Sequence, residues 1–294
     1  MAKINWRGLL MKFGTTTIPI AGWIINPSDP EGMRAKRIDA IRKIVKGYGL
    51  DVVELSLDLG MVYPDVFDKN FYQAVAELQK ELDFTCTIHL PFMWLDCASL
   101  NETIRQASVE SIRQAYELVD PLLVDNWVLH LWGSTTIQIS ELMQESIRRR
   151  MFMNAVLEQA EKSLEQIKEF INPFNLCVET LEAPDFDFVM PLLKKHDVQI
   201  CLDIGHLAWQ GGGEISFLER NIENIREIHL HDARVERSGG VRTIVDHLAL
   251  GRGQIEYRNF MQKLLNLGYR DVVILENNSQ NDLELSIARI EDYV

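Results

Sequence analysis

Short apolar runs alternate with longer amphipathic stretches along this chain, eight times over. That rhythm constrains the fold more than any other feature. A brief continuous apolar run fits a buried strand, whereas apolar residues three and four apart fit one face of a helix. The predicted strands are residues 15–25, 51–57, 84–90, 127–131, 176–180, 199–204, 227–230 and 272–275. Helices are predicted over 32–45, 71–82, 103–119, 140–171, 186–196, 217–224, 257–267 and 282–293. Val52-Val53-Glu54-Leu55 and Val272-Val273-Ile274-Leu275 are nearly unbroken, as expected of parallel strands covered on both faces. Eight strand–helix units in 294 residues predict an α/β fold, the (β/α)8 TIM barrel. An open doubly wound sheet is disfavoured, because no glycine-rich turn follows the first strand. No Pro/Gly/Ser linker interrupts the pattern, so residues 1–294 are expected to form a single TIM-barrel domain.

Composition narrows the function classes. Lys and Arg number 30 against 43 Asp and Glu, a formal charge of −13, which disfavours a non-specific nucleic-acid binder without excluding nucleic acid. No apolar run approaches the ~20 residues of a membrane helix. The start, with Lys3, Arg7 and Lys12 among apolar residues, lacks a signal-peptide core, so a cytoplasmic protein is expected. Four cysteines without C-x-x-C spacing read as buried free thiols, and the Arg148-Arg149-Arg150 run reads as a solvated helix face. The oligomeric state is not set by the sequence.

In such a barrel, polar residues at strand ends and in the loops after them carry chemistry. Six of the seven histidines fall there: His89, His130, His206, His229, His231 and His247. His196 precedes a strand and falls on the opposite, stability face. Glu179, Asp203 and Glu276 end apolar strands as well. Desolvating an unpaired carboxylate is costly, and a divalent cation offsets that cost. Imidazole with carboxylate suits zinc, manganese, iron or cobalt, and magnesium stays among the candidates.

The ordered set Thr87-Ile88-His89-Leu90-Pro91-Phe92, Glu179-Thr180, Leu202-Asp203-Ile204-Gly205-His206, Ile228-His229-Leu230-His231-Asp232, His247 with Leu250-Gly251-Arg252-Gly253, and Glu276-Asn277 resembles the xylose-isomerase-like barrel superfamily. That superfamily holds sugar and sugar-phosphate isomerases and epimerases and the endonuclease IV group. The resemblance implies one divalent ion held by Glu179, Asp203, His229 and Glu276, with His206 beside it. It implies that Glu179 and Glu276 do acid–base work on opposite faces of a sugar or sugar phosphate, next to a metal-polarised carbonyl.

His206 would then bind a substrate hydroxyl, with His89, His130, Trp132 and Trp209 at the pocket. Arg234, Arg237, Arg242 and Arg252, between the last two strands, are the cations available for a phosphate. The endonuclease branch is the alternative, a zinc phosphodiesterase acting at abasic sites. For it, His89 and His130 match ligands of a second ion with Glu179, and His206 and His247 match ligands of a third. Val245 departs from that pattern, where an aspartate is expected. Phe92, Met93 and Trp94 then read either as a wedge into a duplex or as an apolar lid over a sugar, and the charge of −13 favours the lid. A barrel that binds a ligand without turnover is a third class.

Overall fold

The computed structural model describes residues 11–22, 26–143, 147–183, 185–238, 241–291 and 293. Eight parallel strands close into a barrel. They are β1 (Lys12–Thr16), β2 (Val52–Ser56), β3 (Thr85–His89), β4 (Val124–Leu129), β5 (Leu176–Glu179), β6 (Gln199–Asp203), β7 (Ile225–Leu230) and β10 (Val272–Leu275). Each pairs with its sequence neighbour in the barrel, and β1 meets β10 to close the ring. Between β7 and β10 an antiparallel hairpin is inserted, β8 (Asp232–Ser238) with β9 (Val241–Leu248). The predicted (β/α)8 TIM barrel is therefore the observed fold.

Period-two alternation along each strand separates two cores. Val53, Leu55, Ile88, Val178, Ile200, Leu202, Ile228, Leu230, Val273 and Leu275 join the main apolar cluster with the surrounding helices. Their alternate neighbours Val52, Val272 and Ile274 form one separate small cluster, and Val128, Cys177 and Cys201 another. Two residues further along the same strands stand Glu54, His130, Glu179, Asp203 and Glu276. One apolar tier inside the barrel is thus followed by a polar tier at its C-terminal mouth. Register fixes neighbours within that tier: Asp203 lies opposite His229, and His229 opposite Ile274.

Three expectations are corrected. The first strand is Lys12–Thr16, not 15–25, and Ile18–Ala21 is a short helix with Pro at its start. The β-branched Thr15-Thr16-Thr17-Ile18 run favours a strand, but Pro19 has no N–H to give a sheet ladder. Residues 23–25 of that predicted strand lie outside the described residues, as do Lys3 and Arg7. The stretch 140–171 is two helices, Ser134–Leu142 and Ile147–Ile167. The span read as a loop between the last two strands contains the β8–β9 hairpin.

All four cysteines are free and buried. Arg148 and Arg150 are exposed on the second of those helices, as a solvated face requires. Among the described residues no helix is long and apolar enough to cross a membrane.

Candidate metal centre

His229 is fully buried, with carboxylates facing both of its ring nitrogens. Its Nδ1 is 3.4 Å from Glu179 Oε1, 3.4 Å from Glu276 Oε2 and 3.9 Å from Asp203 Oδ2. Its Nε2 is 3.3 Å from Glu54 Oε2 and 3.8 Å from Glu227 Oε1. Neither ring nitrogen is hydrogen-bonded, which is costly for a buried imidazole. Glu179, Asp203 and His229 each bring a ligand atom within 4.8 Å of the other two. These three residues fit a divalent cation on the Nδ1 side of His229, while Glu276 falls in a group with Glu54 and His229.

Asp203 is held for that position from two sides. Its Oδ1 accepts the His206 N–H at 2.8 Å and caps the helix Ile204–Gln210. Its Oδ2 faces His231 Nε2 at 3.2 Å. His231 Nδ1 accepts the backbone N–H of His247 at 3.0 Å, which leaves the proton on Nε2 to donate to Asp203. A carboxylate oriented by a histidine whose tautomer is itself fixed is the usual outer support of a metal ligand. Gly205 packs on the His231 ring, where any Cβ would collide with Cε1.

Two further clusters touch this one. His130 Nε2 lies 2.7 Å and His89 Nε2 3.2 Å from Glu179 Oε2, so these three residues form a second group of ligand type. His247 Nε2 lies 3.5 Å from Glu276 Oε2, its ring stacks on His231 at 4.5 Å, and His231, His247 and Glu276 form a third group. His206 belongs to none of these three groups, although its Nδ1 lies 3.7 Å from Glu179 Oε1. Its Nδ1–H donates to Thr180 O at 2.8 Å, and its Nε2 lies 3.6 Å from Glu182 Oε1. His206 and His247 are therefore not brought into one group.

Mutual attraction governs protonation here. Burial opposes charge on Glu179, yet His130 and His229 hold its carboxyl well below the usual range. Burial likewise opposes charge on Glu276, but His229 and His247 bring it down to about 2. His89 is raised to about 9 against its burial by Glu179, and His206 to about 9 against its burial by Asp203, Glu182 and Glu179. Glu227, deeper and without a hydrogen bond, is pushed up to about 7 by burial.

The clusters open into a cavity of about 900 Å³ walled by Phe92, Trp132 and Trp209. Sequence reasoning passed over Glu54, and placed His231 at the barrel mouth without giving it a role. The signal for Glu54 was an acid within Val52-Val53-Glu54-Leu55, the same sign that marked Glu179. Two proposed phosphate partners do not reach the pocket: Arg234 is spent on Glu236 at 2.8 Å, and Arg252 on Asp282 at 2.7 Å. The side chains of Arg237 and Arg242 lie outside the described ones. His196 sits away from the mouth, buried against Glu161 at 3.0 Å.

Known proteins share this architecture. A D-tagatose 3-epimerase-like protein superposes with a TM-score of 0.70 at 22% identity, over 96% of this chain and 97% of that one. The 3-keto-D-glucoside 4-epimerase of E. coli gives 0.68 at 15% identity, over 97% of this chain and 100% of its own. In sequence, the uncharacterized protein MJ1614 of Methanocaldococcus jannaschii is 27% identical over 233 residues, 74% of this chain and 80% of that protein. The model of the xylose isomerase-like TIM barrel family matches residues 42–293. With nearly every strand and every residue of the His229 cluster inside that match, the chain belongs to the xylose isomerase-like TIM barrel family.

Proposed function

We propose that this protein is a divalent-metal-dependent isomerase or epimerase acting on a sugar. One observation carries the reading: Glu179 and Glu276 approach His229 Nδ1 at the same 3.4 Å, with Asp203 beside them, at the mouth of a cavity. The cation would be held by Glu179, Asp203, His229 and Glu276, and when bound it would polarise a carbonyl and the hydroxyl next to it. Everything else belongs to the chain. Glu179 and Glu276 come from β5 and from the loop after β10, so each faces a substrate lying between them from its own side. One takes the proton from the carbon beside the carbonyl and the other returns one. His206, its Nδ1–H committed to Thr180, presents Nε2 to a substrate hydroxyl. His89 and His130 hold Glu179 from behind, and Phe92 and Trp132 limit water at the reacting carbon. The epimerase names of the two structural relatives agree with this reading.

Proton exchange tests it. Incubated in D2O with manganese and a panel of ketohexoses, the protein should place deuterium on the carbon beside the carbonyl of at least one sugar. Glu179→Gln and Glu276→Gln should each slow exchange by roughly a thousandfold, reflecting loss of acid–base catalysis together with a ligand. The His89–His130–Glu179 group favours a second reading, a zinc phosphodiesterase. Cleavage of abasic-site duplex with several ions per chain, and no exchange on any sugar, would establish that reading instead.

A further inference from the structure

We infer that the outer part of the pocket is a subsite for a second sugar ring, so that the substrate is an uncharged glycosyl-ketose. The inference rests on the sugar-isomerising reading above and names the substrate class within it. Space is the first ground. A cavity of about 900 Å³ lies at the upper end of the ~300–1,000 Å³ range of pockets that hold drug-sized ligands, and one hexose leaves much of it to water.

Trp94 is the second ground. It lines the cavity yet is 80% exposed, so its indole stands at the rim with a face unused by the fold. Its φ of 61° is a left-handed backbone conformation that a bulky residue adopts at a cost, and such residues gather at ligand sites. The turn that presents it is pinned from beneath. Buried Asp58 accepts the N–H groups of Phe92 at 3.1 Å and Met93 at 2.8 Å through one oxygen, and Leu95 N–H returns to Phe92 O at 3.1 Å. An exposed tryptophan on a fixed turn is a pre-organised stacking platform, and a sugar ring offers the flat C–H face that stacks on it.

Charge is the third ground. Among the described lining residues there is no Lys or Arg; His89, His130, His206 and His247 each face a carboxylate of the site, and Glu182 and Asp246 add carboxylates outside the His229 set. Sugar hydroxyls donate to carboxylates, whereas a phosphate is repelled by them. Among its described residues the same lining offers a nucleic-acid backbone no Lys or Arg.

Calorimetry on the manganese-loaded protein tests this with three probes: fructose, fructose 6-phosphate, and isomaltulose, a fructose carrying a second hexose on O6. Isomaltulose should bind roughly fivefold more tightly than fructose, the phosphate ester more weakly than either. Trp94→Ala should weaken isomaltulose severalfold more than fructose and so remove most of the preference, and Trp94→Phe should retain most of it. Equal binding of the two sugars, no binding of isomaltulose, equal weakening of both in Trp94→Ala, or tighter binding of the phosphate ester or of abasic duplex would each overturn the subsite. Deuterium exchange in the same solutions separates the two claims. Preference without exchange keeps the subsite and removes the isomerase reading; exchange without preference does the reverse.

Discussion

Gly205 shows how a single missing atom sets the centre. A side chain there would push against His231, the residue that aims Asp203 through its Nε2–H. Gly205→Ala should weaken metal binding about tenfold or more, the usual effect of disturbing an outer partner of a ligand, while the protein stays folded. Competition with a fluorescent zinc chelator measures this, and an unchanged affinity would show that His231 plays no part in holding Asp203. The Leu202-Asp203-Ile204-Gly205-His206 segment was conspicuous in the sequence, but the need for its glycine was not. His231 lies 26 residues further along, and only folding brings it against Gly205. Glu54 was hidden for a different reason. It lies within an apolar run that already identified a strand, and nothing local says that His229 will be its partner.

At the level of elements, the hairpin is the part the helical and apolar periodicities do not signal. Gly239-Gly240 between Arg234-Val235-Glu236 and Thr243-Ile244-Val245 is a hairpin signal, but the charged flanks resemble a solvated loop. The barrel strands were legible because burial on both faces forces continuous apolar runs; a hairpin over the mouth is under no such demand. Asp232 joins this hairpin to the barrel. Its buried carboxylate accepts N–H groups from Ala233 at 2.8 Å, Gly251 at 2.8 Å and Ile255 at 3.0 Å. Asp232→Ala leaves three buried donors unpaired and should cost about 3 kcal/mol in urea unfolding. Asp232→Asn should recover only part, since its amide nitrogen cannot accept. Equal stability of all three proteins would show that this carboxylate does not anchor the segment.

The stability of the whole molecule should depend on pH and metal together. His89 and His206 are raised to about 9 in the fold, against about 6.5 unfolded, so their contribution is full below 6.5 and is lost as pH rises through 9. Glu276 is lowered to about 2, against about 4.3 unfolded, so its contribution is present above that value and is lost as pH falls toward 2. Treated with chelator, the protein should therefore be most stable between about pH 4.5 and 6.5, and its Tm should fall between pH 7 and 9.5. With manganese the alkaline fall should flatten, because the cation takes over the neutralising role of those protons. Thermal melts across pH with and without metal measure both limbs. Identical alkaline limbs would show that the ion does not bind among these groups.

What the sequence determined by itself was the barrel and the end at which its polar residues gather. Burial on two faces and the period of a strand are local rules, written within a few residues, and the two small inner clusters, Val52 with Val272 and Ile274 and Val128 with Cys177 and Cys201, obey them. Tertiary structure alone decided which polar residues meet. It set Glu54 under His229, aimed His231 at Asp203, parted His206 from His247, and drew Arg234 and Arg252 away to acids of their own. Distances of a few ångströms between strands far apart in the chain depend on register and on closure of the ring, and no local pattern encodes either.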